Sequence, residues 1–243
     1  RLGDARLPDV RRSKGPNPET LEPLASVLTS DASVDEKRNA IARLARLETP
    51  QAVQALRGAL QSSSREIRFL AANAISSLER RLNQRLHARR CAGGEPEDVG
   101  PEDALETAQA YFDYAYYGLA GDLDKATYLR QALEYVRTAW EQGHNPDAQL
   151  LWGKILLQLG DNEEAVDMFS RYLACEPYDV RGYLWRAEAH FRQGDYRAVR
   201  RDCERANGSG QVPEVTRGAV DMWVSNLEAT ENSESAKEEL LTS

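Results

Sequence analysis

The sequence predicts an all-α chain, an α-solenoid of antiparallel helix pairs. Three observations predict it. Residues 146–206 repeat with a period of 34, so that Gly153 recurs as Ala187, Gly160 as Gly194 and Asp161 as Asp195. Upstream, apolar residues recur at the three- and four-residue steps of a helix rather than in alternation. Glycine and proline gather in a few short clusters, leaving segments between them long enough for helices.

Composition narrows the class further. The 243 residues are 41% hydrophobic and 29% charged, which suits a folded helical chain and argues against disorder throughout. The net charge of -8 conceals two modules. Residues 1–94 carry 17 Lys and Arg against 10 Asp and Glu, and residues 95–243 carry 14 against 29. All ten tyrosines and all four tryptophans fall after residue 110, and only Phe69 represents the aromatics before it. No run of about 18 apolar residues exists to cross a membrane as a helix. The chain starts on Arg rather than Met, so a fragment is expected, with a signal or membrane anchor in the missing part. Cys91, Cys175 and Cys203 are odd in number and lack CxxC spacing. That argues against a disulfide framework or a zinc site and for a reducing compartment.

Residues 1–17 lack a helical period and hold Pro8, Gly15 and Pro16, so they read as a flexible basic lead. Arg11, Arg12 and Lys14 would be solvated, or would lie near anionic headgroups beside an anchor. The first helix is expected over Pro18–Thr29, with Leu21, Leu24 and Leu28 on one face. The second runs over Val34–Leu47 and the third over Pro50–Leu60. The fourth begins after Ser63 or Ser64, an N-cap with Glu66 in the first turn, and buries Ile67, Leu70, Ala71, Ala74, Ile75 and Leu78. It continues past Leu78, where Arg81, Arg85 and Arg89 fall four residues apart and so line one face. That basic face is either solvated or a surface for an acidic partner or membrane. Nucleic acid is disfavoured, because no aromatics interleave with the arginines. Lys37–Leu47 and Ile67–Leu78 align at an offset of 30 through Arg38 and Arg68, each followed by small and apolar residues. This pattern resembles the inner helix of a HEAT repeat over residues 18–90; a degenerate TPR pair is the other reading.

Residues 91–103, CAGGEPEDVGPED, form the clearest break and are read as a linker. A helix resumes over 104–120 with five aromatics between Tyr111 and Tyr117, expected to pack between helices rather than to cage a ligand. Gly118 and Gly121 close it, and Asp122 or Asp124 caps the next helix, Lys125–Gln142. Its inward set is Tyr128, Leu129, Ala132, Tyr135, Val136 and Trp140.

With position 1 at Pro146, Trp152, Gly153, Gly160, Ala165, Phe169 and Pro177 fall at the signature positions of the tetratricopeptide repeat (TPR), and the next unit from Val180 keeps Ala187, Gly194 and Ala206. Cys203 stands at an aromatic position of that second unit, and the unit lacks the closing proline, so it reads as terminal. A capping helix is expected over Pro213–Ala229, with Val220, Trp223, Val224 and Leu227 inward, completing a TPR domain at 104–230. An acidic tail, 231–243, follows.

No P-loop, GxSxG, HExxH or EF-hand loop occurs, and His87, His144 and His190 have no partner at metal-ligand spacing. The chain is therefore expected not to be an enzyme and to need no cofactor or metal. The TPR resemblance implies a concave partner-binding groove lined by Leu150, Lys154, Leu157, Arg181, Leu184, Glu188, Phe191 and Arg192. Charge reversal of Lys154, Arg181 and Arg192 is expected to weaken binding without unfolding the chain. Leu150 and Leu184 stand where chaperone-tail-binding TPRs carry polar clamp residues, so a helical or apolar partner segment fits better.

The TPR pair (Trp152, Gly153, Gly160, Ala165, Phe169, Pro177, Ala187, Gly194), after basic helix pairs, resembles the cytoplasmic region of the PelE family. These are inner-membrane proteins of bacterial Pel exopolysaccharide synthesis. That resemblance implies a scaffold in a membrane synthase complex, on the cytoplasmic side of the inner membrane. The implied partners are a PelD-like cyclic-di-GMP receptor, with PelF-like and PelG-like subunits nearby. Two alternatives stand beside it: a TPR adaptor of an unrelated envelope complex, and a HEAT-like bilin lyase.

Overall fold

The computed structural model describes residues 21–92, 96–118 and 122–208. The predicted lead (1–17), capping helix (213–229) and acidic tail (231–243) lie outside these residues. The described residues are helical and contain no strand, as the apolar period requires. They form two compact units, divided after Gly160.

The first unit opens with α1 (Leu21–Thr29), α2 (Val34–Leu44), α3 (Pro50–Ala59) and α4 (Arg65–Ala92). Ser33 starts α2 through a capping box: its hydroxyl accepts from the Glu36 N–H (3.3 Å), and Glu36 accepts from the Ser33 N–H (2.8 Å). The Ser33 hydroxyl and backbone N–H bonds hold the Glu36 carboxyl below its usual pKa. α2 ends three residues before the predicted Leu47. Its last carbonyls bond in tight i→i+3 turns, Arg46 N–H to Arg43 O and Leu47 N–H to Leu44 O, and Pro50 keeps Thr49 extended. Leu47 is buried outside the helix. Thr49 then caps α3, its hydroxyl accepting from the Ala52 N–H at 3.2 Å.

α4 is one continuous helix of 28 residues. Ser64 caps it, as expected, through the Ile67 N–H (3.4 Å). Its buried stripe is Ile67, Ala71, Ala74, Leu78, Leu82 and Leu86; the predicted Leu70 and Ile75 are only half-buried.

The expected linker is much shorter than 91–103 and separates nothing. α4 runs through Ala92, a single 3-10 turn occupies Pro96–Asp98, and α5 (Pro101–Tyr116) packs directly against α4. Arg89 pairs with Asp103 (3.2 Å) and with Glu106 across this turn. The Arg57 guanidinium donates to the Gly118 carbonyl. Glycine and proline mark where the chain turns, but they do not say whether its two sides pack together.

α5 and α6 (Asp122–Gly143) make the most intimate pair of the unit. All five aromatics from Tyr111 to Tyr117 are buried, as expected of packing residues. Tyr111 stacks on Tyr135 (centroids 5.8 Å apart) and Tyr114 meets Tyr128 at 4.8 Å. Such pairs contribute about 0.5–1.5 kcal/mol each beyond area burial. α7 (Pro146–Leu159) packs on α6, with the Arg137 guanidinium 5.5 Å above the Trp152 ring. Asn145 caps α7, and Gly160 ends it at φ 98°, the left-handed conformation that explains its repeat position.

The second unit contains α8 (Asn162–Cys175), α9 (Val180–Gln193) and α10 (Tyr196–Gly208). Ala165, Phe169, Tyr172 and Leu173 form the buried stripe of α8. Gly194 ends α9 at φ 80°, repeating the Gly160 device, and Asp195 caps α10 through the Ala198 N–H at 3.0 Å. Cys203 is fully buried. It fills the inward position at which the first repeat carries Phe169.

Candidate functional site

The expected groove residues lie on α7 and α9, in different units. On α7, Leu150, Lys154 and Leu157 are all buried. On α9, Leu184 and Glu188 are buried, Arg181 and Phe191 half-buried, and Arg192 exposed. Glu188 accepts from Arg192 Nε at 3.0 Å, and Phe191 packs edge-on against Tyr196. These leucines are packing residues, and Arg192, the one exposed residue of the set, keeps its side chain against Glu188.

Arg181 belongs to a local network. Its guanidinium donates to Asp179 Oδ2 (2.7 Å) and to the Tyr172 hydroxyl (3.0 Å), and that hydroxyl donates to Asp179 at 2.5 Å. The Asp179 Oδ1 also accepts from the Arg181 N–H, capping α9. Charge reversal at Lys154 or Arg181 therefore acts on a buried or networked side chain. Such a reversal is therefore expected to disturb the fold as well as any partner.

The same network displaces the Asp179 pKa. Burial by itself raises it, but the bonds from Arg181 and Tyr172 and the guanidinium charge outweigh burial and hold the carboxyl below its ordinary 3.8. A folded value below the unfolded one means that stability is present above pH 3.8 and is lost as pH falls through the folded value. Asp179→Asn is expected to flatten the acid side of the stability–pH curve below about pH 4, measured by urea unfolding.

The basic face of α4 is engaged within the chain. Arg81 donates to the Ala45 carbonyl (2.7 Å), an orphan at the end of α2, and approaches Glu48 at 3.4 Å. Arg85 donates to the same Glu48 carboxylate at 2.6 Å, and Arg89 is held by Asp103 and Glu106. Each half-exposed pair contributes about 0–1 kcal/mol, so together they set the docking of α4 rather than its stability. The expected surface for an acidic partner is thus a set of clasps to the α2–α3 turn and to α5.

A cluster of charged side chains lies between α9 and α10. There a cavity of about 220 Å³ is lined by Arg186, His190, Ala198, Arg201, Asp202 and Arg205. Arg186 grips Asp202 with two bonds, Nε at 2.9 Å and Nη2 at 2.6 Å, and Nη1 reaches Ser170 Oγ at 3.1 Å. His190 Nε2 lies 3.9 Å from Asp202, and its Nδ1 is buried with no hydrogen-bond partner. Arg201 and Arg205 are exposed. The sequence gives His190 no partner at metal-ligand spacing and does not single out the others. The available signal was Asp202, an acid inside the apolar stripe Ala198, Val199, Cys203, Ala206. A carboxylate there needs a cation from a neighbouring helix.

Cysteine chemistry follows burial. Cys203 is pushed up to about 12 by its burial, with Asp202 and Glu204 adding to the shift. Cys91 and Cys175 are exposed. An aromatic disulfide reagent is expected to titrate two thiols in the native chain and the third only after denaturation. Among the described residues no cluster of His, Cys, Asp and Glu could hold a metal ion, and no helix is long and apolar enough to cross a membrane.

A family model of HEAT repeats matches residues 21–90. It covers α1 to α4 and supports the HEAT-like reading of these helices over a degenerate TPR pair. No curated protein matches the chain. Among solved structures, the MamA protein is similar at 14% identity and a TM-score of 0.35, over 79% of this chain and 92% of that one. The TPR domain of P58(IPK) is similar at 16% identity and a TM-score of 0.36, over 88% of this chain and 75% of that one.

Proposed function

We propose that this chain is a non-catalytic protein-interaction scaffold. The observation that carries the reading is the packing of successive helices within each unit, α5 on α6 and α6 on α7 in the first, α8 on α9 and α9 on α10 in the second. Such pairs place long, rigid helix faces side by side. A partner helix or extended segment binds such a face without ordering a loop, which lowers the entropic cost of binding.

The narrower reading is assembly of an inner-membrane exopolysaccharide synthase complex from the cytoplasmic side. Its support is the sequence resemblance of the TPR pair and the preceding basic helices to the PelE family. It assigns a PelD-like receptor subunit as the direct partner, with PelF-like and PelG-like subunits in the same assembly. The test is co-purification of the tagged chain with each of these subunits, expressed pairwise. Retention of the PelD-like subunit through size exclusion is the expected result. Loss of all three would dismiss this assembly and leave the adaptor of another envelope complex as the reading. A bilin lyase instead requires a spectral shift when an open-chain tetrapyrrole is added.

A further inference from the structure

We propose that the α9–α10 cavity is a carboxylate-binding site and that its occupant is the glutamate-rich C-terminal segment of this same chain, residues 228–239. Three arginines and one aspartate line the cavity, so it carries net positive charge within a module that is otherwise strongly acidic. Arg186 is spent on Asp202 and Ser170 and forms the fixed floor. Arg201 and Arg205 stand one helical turn apart on α10, exposed and without an ion pair among the described residues. Two guanidinium groups at that spacing suit two carboxylates about 6 Å apart, and each can take one in a bidentate grip.

The chain itself supplies that ligand. α10 ends at Gly208, and 35 residues follow to Ser243. Residues 228–239 contain Glu228, Glu231, Glu234, Glu238 and Glu239 against a single Lys237. Glu234 and Glu238 repeat the four-residue spacing of the arginine pair. Nineteen residues separate Gly208 from Glu228. At no more than about 3.6 Å per residue, that length of chain can reach back past the end of α10. Arg201 lies about 10 Å back along α10 from its end. Carriage on the same chain raises the effective concentration of the segment at the cavity, so a weak pairing suffices to fill it. An acidic segment of another protein would then reach the cavity by displacing the tail.

The primary test keeps the charges in place. In the full chain carrying Arg201→Lys and Arg205→Lys, a carbodiimide couples an amine to a carboxylate only where the two touch. Mass spectrometry is expected to find crosslinks from positions 201 and 205 to glutamates within 228–239, and to find them lost at about 1 M salt, where the Debye length falls to about 3 Å. Crosslinks that are absent, or confined to carboxylates outside 228–239, would overturn the proposal. A second measurement uses a synthetic peptide of residues 228–243. The full chain with all five glutamates changed to glutamine is expected to bind it at least tenfold tighter than the unaltered chain, whose own tail competes. Equal affinity of the two would overturn the tail as occupant. No binding to either would overturn the site.

Discussion

Arg186→Met is expected to destabilise the α8–α10 unit by about 3 kcal/mol, the low end of what breaking a buried ion pair costs. Asp202 keeps only 5% side-chain exposure and Arg186 15%. Removing the guanidinium leaves a buried carboxylate with no bidentate partner, and Ser170 loses its donor as well. The loss comes from the stranded charge, not from the value of the pair. Arg186→Met combined with Asp202→Leu is therefore expected to recover most of the stability, because two apolar side chains of similar volume carry no desolvation cost. Urea unfolding of the two variants against the unaltered chain checks both statements. A double variant as unstable as the single one would mean that packing, rather than charge, holds this site.

Gly182→Val is expected to cost about 3 kcal/mol, through overpacking where α9 crosses α8. A Cβ at position 182 would lie 2.6 Å from Leu173 Cδ2 and 2.9 Å from both Leu173 Cγ and Tyr172 Cδ1. The tyrosine cannot swing away, because its hydroxyl is held by Asp179 and Arg181. A helix-interior glycine by itself costs about 1 kcal/mol relative to alanine, so Gly182→Ala carries a propensity gain against a steric loss. The contacts decide for loss. If they are the cause, Leu173→Ala introduced together with Gly182→Ala should cost less than the sum of the two, by about 1 kcal/mol, in a double-mutant cycle followed by thermal unfolding.

Elements that rest on local backbone chemistry were readable in the chain. Gly160 and Gly194 had to sit where the chain needs positive φ, and they do, at φ 98° and 80°. An acidic first turn and an apolar stripe point to Ser63 or Ser64 as the N-cap of α4, and Ser64 is the one that caps. The tyrosines between 111 and 117 had to be buried together, since nothing on a solvated helix accounts for that density.

The candidate site was much less legible. The helical period places Arg81, Arg85 and Arg89 on one face, but it says nothing of what stands opposite. Glu48 is 33 and 37 residues away from the arginines it binds, and only the packing of α4 against α2 and α3 brings them together. Leu150, Leu157 and Leu184 were assigned to a groove by analogy of position, yet all three are buried. Arg201 and Arg205 passed unremarked, since an arginine pair on an exposed helix face looks like any solvated surface until Arg186, from another helix, sets the depth of the cavity beside it.

The sequence by itself determined the all-α class, the helix-pair period, the turns and most of the caps. These follow from 3.6 residues per turn, from the backbone freedom of glycine and from side chains that bond within three residues of their own position. Only the tertiary structure decided which charges are already paired, that the break near residue 95 divides no compact units, and that Gly182 is a contact rather than a flexible point. The reason is the same in each case. These properties depend on distances between segments far apart in the chain, and a residue's own neighbours carry no record of them.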